Sequence, residues 1–230
     1  MNETPSQVQP KYKYYDIIAC LFVAVLLISN IVSVKVSHFG KFSFDSGTIL
    51  FPIAYIFGDI LTEVYGYAKS RRIIWTGFFC LAVMALVMYI VQILPPDPSW
   101  PLQNEYSLIL GFVPRIVFAS IVAYLIGEFL NSFILAKMKV ATLGKNLWMR
   151  TIGSTIVGEA ADTLVFTAIA FYGVLPMPVI LNIMGTIYVA KVLYEILATP
   201  LTYKIVNFLK KAEGVDYYDK DTNFSPFKMD

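Results

Sequence analysis

Acidic side chains inside apolar runs are the places where this chain could do chemistry. In Arg150–Gly173, RTIGSTIVGEAADTLVFTAIAFYG, Glu159 and Asp162 stand three apart near the middle of a segment long and apolar enough to cross a bilayer. An ionised group at that depth costs roughly 2.5–3.5 kcal/mol on insertion scales, so lipid alone gives no reason for either acid. On a helix they share a face with Thr155, Thr163 and Phe166, and that face is expected to look into the protein. Ile156, Val157, Leu164 and Ile169 supply the opposite side. Ser154 and Gly158, four apart, let a neighbouring helix approach closely.

Other apolar runs carry polar groups in the same way. Asp59 and Glu63 share a face in GTILFPIAYIFGDILTEVY, with Glu63 near enough to Lys69–Arg72 to be neutralised there. Arg115 precedes the stripe Ser120, Tyr124 and Glu128; it either snorkels to the surface or turns inward. Lys191 and Glu195 are four apart, and a simple internal ion pair would satisfy both. Deep within spans the acids are Asp59, Glu128, Glu159, Asp162 and Glu195, against Arg115 and Lys191 as bases. A structural network tends toward pairing, so the surplus points to protonated carboxylates, to proton exchange during transport, or to a ligand that donates hydrogen bonds. A flat heterocycle suits such a set: a carboxylate offers two coplanar acceptors to adjacent N–H donors, while Phe51, Tyr55, Tyr124, Phe166, Tyr188 and Tyr194 offer stacking faces.

The elements that must position these groups are membrane helices. Of 230 residues 57% are apolar and 15% aromatic, so the expected fold is an all-α, polytopic membrane bundle of six transmembrane helices. The spans run from about 15–36, 47–65, 73–94, 108–137, 150–173 and 179–208. Residues 1–14 read as a cytoplasmic leader, 15–209 as the transport domain and 210–230 as a partly ordered cytoplasmic tail. Pro52 and Gly58 suggest a broken or kinked second span. Basic residues gather at the start, at 69–72, at 137–150 and at 204–211, whereas 95–107 and 173–178 have none; the positive-inside rule then puts both termini in the cytoplasm. A formal net charge of +2 gives no reason to expect nucleic acid as a partner. Cys20 and Cys80 sit in apolar runs and read as small hydrophobes; the single histidine, His38, falls in an expected loop, and no metal site is expected.

Four stretches resemble one known family. FPIAYIFGDILTEVYGYAKSRRII, RIVFASIVAYLIGE, STIVGEAADTLVFTAIAF and YVAKVLYEILATP, in this order, are similar to the queuosine precursor transporter family, also called the vitamin uptake transporter family. The resemblance covers about residues 29–203. It implies a six-helix inner-membrane protein, distantly similar to the substrate-binding subunits of energy-coupling-factor transporters. It also implies import of 7-cyano- or 7-aminomethyl-7-deazaguanine for salvage into the tRNA nucleoside queuosine. Matching motif positions are Asn30, Phe51, Pro52, Asp59, Gly66, Arg71, Arg72, Arg115, Ser120, Tyr124, Ser154, Gly158, Asp162, Phe166 and Lys191. By chemical fit, Asp162 or Glu159 would read the donor edge of the base, and Lys191 or Arg115 its O6.

The expected substrate-binding set is thus Asn30, Phe51, Asp59, Arg115, Tyr124, Ser154, Glu159, Asp162, Phe166, Tyr188, Lys191 and Glu195, with no cofactor. No nucleotide-binding loop occurs, so energy would come from an ion or proton gradient, from metabolic trapping or from a separate ATPase; a partner ATPase is not expected. The alternative is a substrate-binding subunit of a multicomponent vitamin transporter. Monomer and homodimer both stay open. An enzyme is not expected: Asp59 and Asp162 are the only obvious Asp pair within spans, and there is no H-E-x-x-H.

Overall fold

The computed structural model describes residues 12–33, 35–39, 42–110, 113–173 and 176–228. Most of the expected leader, and the side chains of Phe51 and His38, lie outside them. The order is α1 (Tyr15–Val32), β1 (Val36–Phe39), β2 (Phe42–Asp45), a 3-10 turn (Ser46–Ile49), α2 (Phe51–Tyr65), α3 (Tyr67–Ile93), α4 (Gln103–Leu110), α5 (Val113–Ala141), α6 (Leu147–Phe171) and α7 (Met177–Glu213). The segment expected as a loop around His38 is an antiparallel hairpin, with His38 opposite Ser43.

Five described helices are long and apolar enough to span a membrane: α1, α3, α5, α6 and α7. The remaining expected span, α2, has 15 residues, or about 22 Å of helix, short of a hydrocarbon core about 30 Å thick. Its place explains its length. From Ala54 to Tyr65 it is buried almost throughout, enclosed by α1, α3, α5 and α7, so it meets protein on every side. Neither Pro52 nor Gly58 breaks it. Proline occupies the first turn, where its missing N–H has no partner to lose. Gly58 leaves room for the Glu128 carboxylate, which a β-carbon there would strike.

The tightest packing is between α5 and α6. A β-carbon at Gly158 would come within 2.8 Å of Asn131 Cβ and 2.9 Å of the Gly127 carbonyl; one at Gly127 would meet Tyr55, Asp162 and the Gly158 carbonyl. Small residues thereby bring two polar helix faces together. Outward faces are apolar: Phe79, Leu86, Leu164 and Leu197 are all more than half exposed.

Basic residues gather at one end of the bundle, and the chain after α7 folds back across it. Asp219 accepts the Tyr67 N–H at 3.1 Å at the start of α3, a helix-terminus donor that otherwise lacks a partner. Arg71 donates to the carbonyls of Asn223 and Ser225, and Trp75 to that of Pro226. Lys139 and Lys210 hold Asp216 at 2.7 and 2.9 Å.

Gly127→Val should lower thermal stability in detergent by about 1–3 kcal/mol through overpacking, whereas Gly153→Val, facing only the flexible end of Met138, should cost less. Partial burial alone would raise the Asp216 pKa, but the hydrogen bonds from Lys139 and Lys210 outweigh it and hold the carboxyl below the usual aspartate range. The docking it contributes is therefore complete above the ordinary aspartate pKa and lost as pH falls through the lowered one. Proteolysis of 214–228 should accelerate across that acid window, and Asp216→Asn should remove the step.

Candidate functional site

The polar stripe of α6 faces inward. Thr151, Ser154, Thr155, Gly158, Glu159, Asp162, Thr163 and Thr167 are all buried, while Ile156, Val157 and Leu164 are exposed. From α7, Lys191 reaches this stripe and places its ammonium 2.6 Å from Asp162 Oδ2 and 2.7 Å from Glu159 Oε2. Its i+4 neighbour Glu195 is not within ion-pair distance. Two carboxylates converging from the facing helix offer the ammonium more Coulomb energy than one beside it on its own helix. The same Nζ lies 6.0 Å from the centre of the Tyr55 ring, which meets Tyr124 edge-on at 5.8 Å.

A cavity of about 40 Å³ opens beside the pair, lined by Ser33, Thr48, Ser120, Asp162, Thr163, Phe166, Ile187 and Lys191. It collects the end of α1, the 3-10 turn, α5, α6 and α7, toward the hairpin end of the bundle. There is room for water but not for a bicyclic base, so a solute of that size enters only if the lining side chains move.

Other expected site residues are placed elsewhere. Asn30 donates to the Leu26 carbonyl at 2.9 Å and borders a separate, mostly apolar cavity of about 260 Å³ between α1, α3 and α5. Ser154 donates to the Thr151 carbonyl within its own helix. Arg115 donates to the carbonyls of Ile169 and Tyr172, each at 2.7 Å, so it caps the C-terminus of α6 and does not turn into the stripe. Tyr188 donates to the Ile156 carbonyl at 3.3 Å, tying α7 to α6. Tyr124 is buried one turn before Glu128. Asp59 accepts from Asn131 Nδ2 at 2.7 Å.

Glu63 belongs to a distinct cluster at the basic end. Arg150 grips both carboxylate oxygens, Lys210 approaches to 2.6 Å and Lys139 to 3.5 Å. Its counter-charges come from α5, α6 and α7, not from Lys69–Arg72 as expected, because Arg71 turns to the chain after α7. Sequence reasoning also missed Thr48, Ile187 and Asn131. Of these only Asn131 had a signal, lying three residues beyond Glu128 on the polar stripe of α5.

This architecture has relatives. Residues 45–205 match the family model described as putative vitamin uptake transporter. The chain belongs to that family. The transporter is 30% identical over 176 residues to the probable queuosine precursor transporter of Bacillus subtilis (strain 168), covering 76% of this chain and 77% of the relative. It is 29% identical over 168 residues to the queuosine precursor transporter of Escherichia coli (strain K12), covering 73% and 72%. A probable queuosine precursor transporter of Haemophilus influenzae is 30% identical over 57% of this chain and 54% of its own. No solved structure matches the transporter. Family membership and apolar helices together make it a multi-pass membrane transport protein and not an enzyme.

Lys191→Met should strand Glu159 and Asp162 without counter-charge and lower thermal stability in detergent by about 3–5 kcal/mol. Adding Glu159→Gln and Asp162→Asn should recover most of the loss.

Proposed function

We propose that the protein imports queuosine precursors, 7-cyano-7-deazaguanine and/or 7-aminomethyl-7-deazaguanine, across the inner membrane. The observation that carries this reading is the cavity walled by Asp162, Lys191 and Phe166 in a chain related to transporters named for queuosine precursors. A deazaguanine presents adjacent N–H donors beside the O6 acceptor. Asp162 would take the donors with two coplanar oxygens, Lys191 would donate to O6, and Phe166 would cover a ring face. Without solute the acid and ammonium satisfy one another at 2.6 Å. With solute each exchanges that partner for a hydrogen bond to the base, which satisfies donor and acceptor while leaving the ammonium one counter-charge fewer.

The basic end is assigned to the cytoplasm, with both termini there, since Lys139, Arg150 and Lys210 gather at it with Arg71. Residues 1–14 then form a leader and 210–230 a tail on that side.

The test is uptake of labelled 7-deazaguanine precursors by queuosine-deficient cells expressing the protein, beside Asp162→Asn at matched membrane abundance. Uptake by the parent and a loss of at least tenfold in the variant, about 1.4 kcal/mol or more of lost recognition, is the expected result. A folded, inserted parent that moves none of these bases would overturn the reading.

A further inference from the structure

Between the Lys191 group and the Glu63 cluster lie two carboxylates that the substrate reading does not use. Asp59, on α2, and Glu195, on α7, are each 1% exposed. Asp59 Oδ1 accepts one hydrogen bond, from Asn131; its Oδ2 and both carboxylate oxygens of Glu195 have no hydrogen-bond partner among the described residues. The ammonium and guanidinium groups nearby are committed elsewhere: Lys191 to Glu159 and Asp162, Arg150 and Lys210 to Glu63. Helix α2 packs against α7, and the Glu195 charge is among those that act on Asp59. Two ionised carboxylates sharing such a place, with no cation to answer them, would cost far more than the fold could supply.

We infer that Asp59 and Glu195 together keep at least one proton, forming a proton-binding site separate from the substrate cavity.

A second feature points the same way. Asn131 is fully buried and turns its amide to Asp59, donating through Nδ2 while its own Oδ1 is left without a partner. Among the described residues no donor reaches that oxygen. A calcium ion takes six to eight oxygen ligands, and no group of three acid, thiol or imidazole side chains suited to a metal occurs among the described residues.

Every packed element contributes to the electrostatics of the pair. Glu128 on α5 and Glu63 on α2 act on Asp59, Glu195 acts on Glu159 of α6, and Lys191 stands one turn before Glu195 on α7. Helix α1 between Cys20 and Val32 carries no ionisable side chain, and α3 between Arg72 and Tyr89 carries only Cys80. Lys139, Arg150, Lys191 and Lys210 are each answered by other carboxylates.

The position also suits coupling. Asp59 lies one turn before Glu63 on α2, and Glu195 one turn beyond Lys191 on α7. The pair therefore stands between the substrate-side ammonium and the basic-end cluster. When solute draws Asp162 off Lys191, the ammonium loses a counter-charge one turn from Glu195 and favours that carboxylate, so the proton passes to water. When solute leaves, Lys191 returns to Asp162 and the pair takes a proton from water; solute and proton therefore exchange, and import is drawn by consumption of the solute inside the cell. The proton is carried as a carboxyl O–H, and no other bond changes. This coupling rests on the proposed import function, whereas the protonation does not.

The protonation is read by infrared spectroscopy of the purified protein, through the carbonyl stretch of protonated carboxyls and its shift in D2O. Asp59→Asn with Glu195→Gln mimics the neutral pair and should fold. The parent is expected to show a component that this double variant lacks; identical spectra would overturn the inference. So would a saturable rise in melting temperature with sodium that the double variant abolishes, since that would make the pair a sodium site. In proteoliposomes loaded with a pH-sensitive dye, 7-cyano-7-deazaguanine should drive proton movement by the parent, and Glu195→Gln should lower the protons moved per solute at least tenfold. Solute transport with no proton movement would overturn the coupling and leave the import function standing. A protonated component in a parent that moves no solute would leave the proton site standing and remove the import function.

Discussion

A charge at the depth of the hydrocarbon core must find its compensation inside the protein, and that constraint arranges the interior of this bundle. Lys191 is the charge around which the central helices settle. Its ammonium sits within 2.7 Å of two carboxylates from the facing helix, so α6 and α7 are held together by an interaction that water cannot weaken by screening. The Glu63 cluster does the same work at the basic end, joining α2 to α5, α6 and α7. Between the two, Asp59 and Glu195 have no such cation among the described residues, and protonation is the compensation left to them.

Close packing makes these contacts reachable. Gly127 and Gly158 let α5 and α6 approach until a β-carbon on either would strike the other helix. Asn131 thereby comes against Asp59, and Tyr55 lies against the same crossing. Gly58 does for α2 what Gly158 does for α6, admitting the Glu128 carboxylate against a helix that passes through the middle of the protein. The central helix can be short because it meets protein, not lipid, on every side.

Much of the site was legible from spacing. The inward turn of Glu159 and Asp162 follows from their share of one helical face and from the apolar residues opposite. Partners were less legible. Lys191 and Glu195 stand at a spacing that suits an ion pair, yet Lys191 crosses to α6, because helical periodicity says which side chains share a face and nothing about which helix faces them. Arg115 was open between surface and interior; the decision came from the end of α6, where unpaired carbonyls lie within its reach. Glu63 is paired as its depth suggested, but by cations up to 147 residues away in sequence.

The sequence by itself determined that this is a helical membrane protein, which faces of its helices are polar, and that buried acids outnumber buried bases. Those properties depend on local composition and on the period of the α-helix, and both can be read along the chain. Only the tertiary structure decided that α2 is a short enclosed helix, that Lys191 answers two acids at once, and that Asp59 and Glu195 meet no cation among the described residues. Each of these depends on which helices are neighbours and how closely they pack, and that is set by glycine contacts and charge compensation across the whole bundle, over separations that no local pattern encodes.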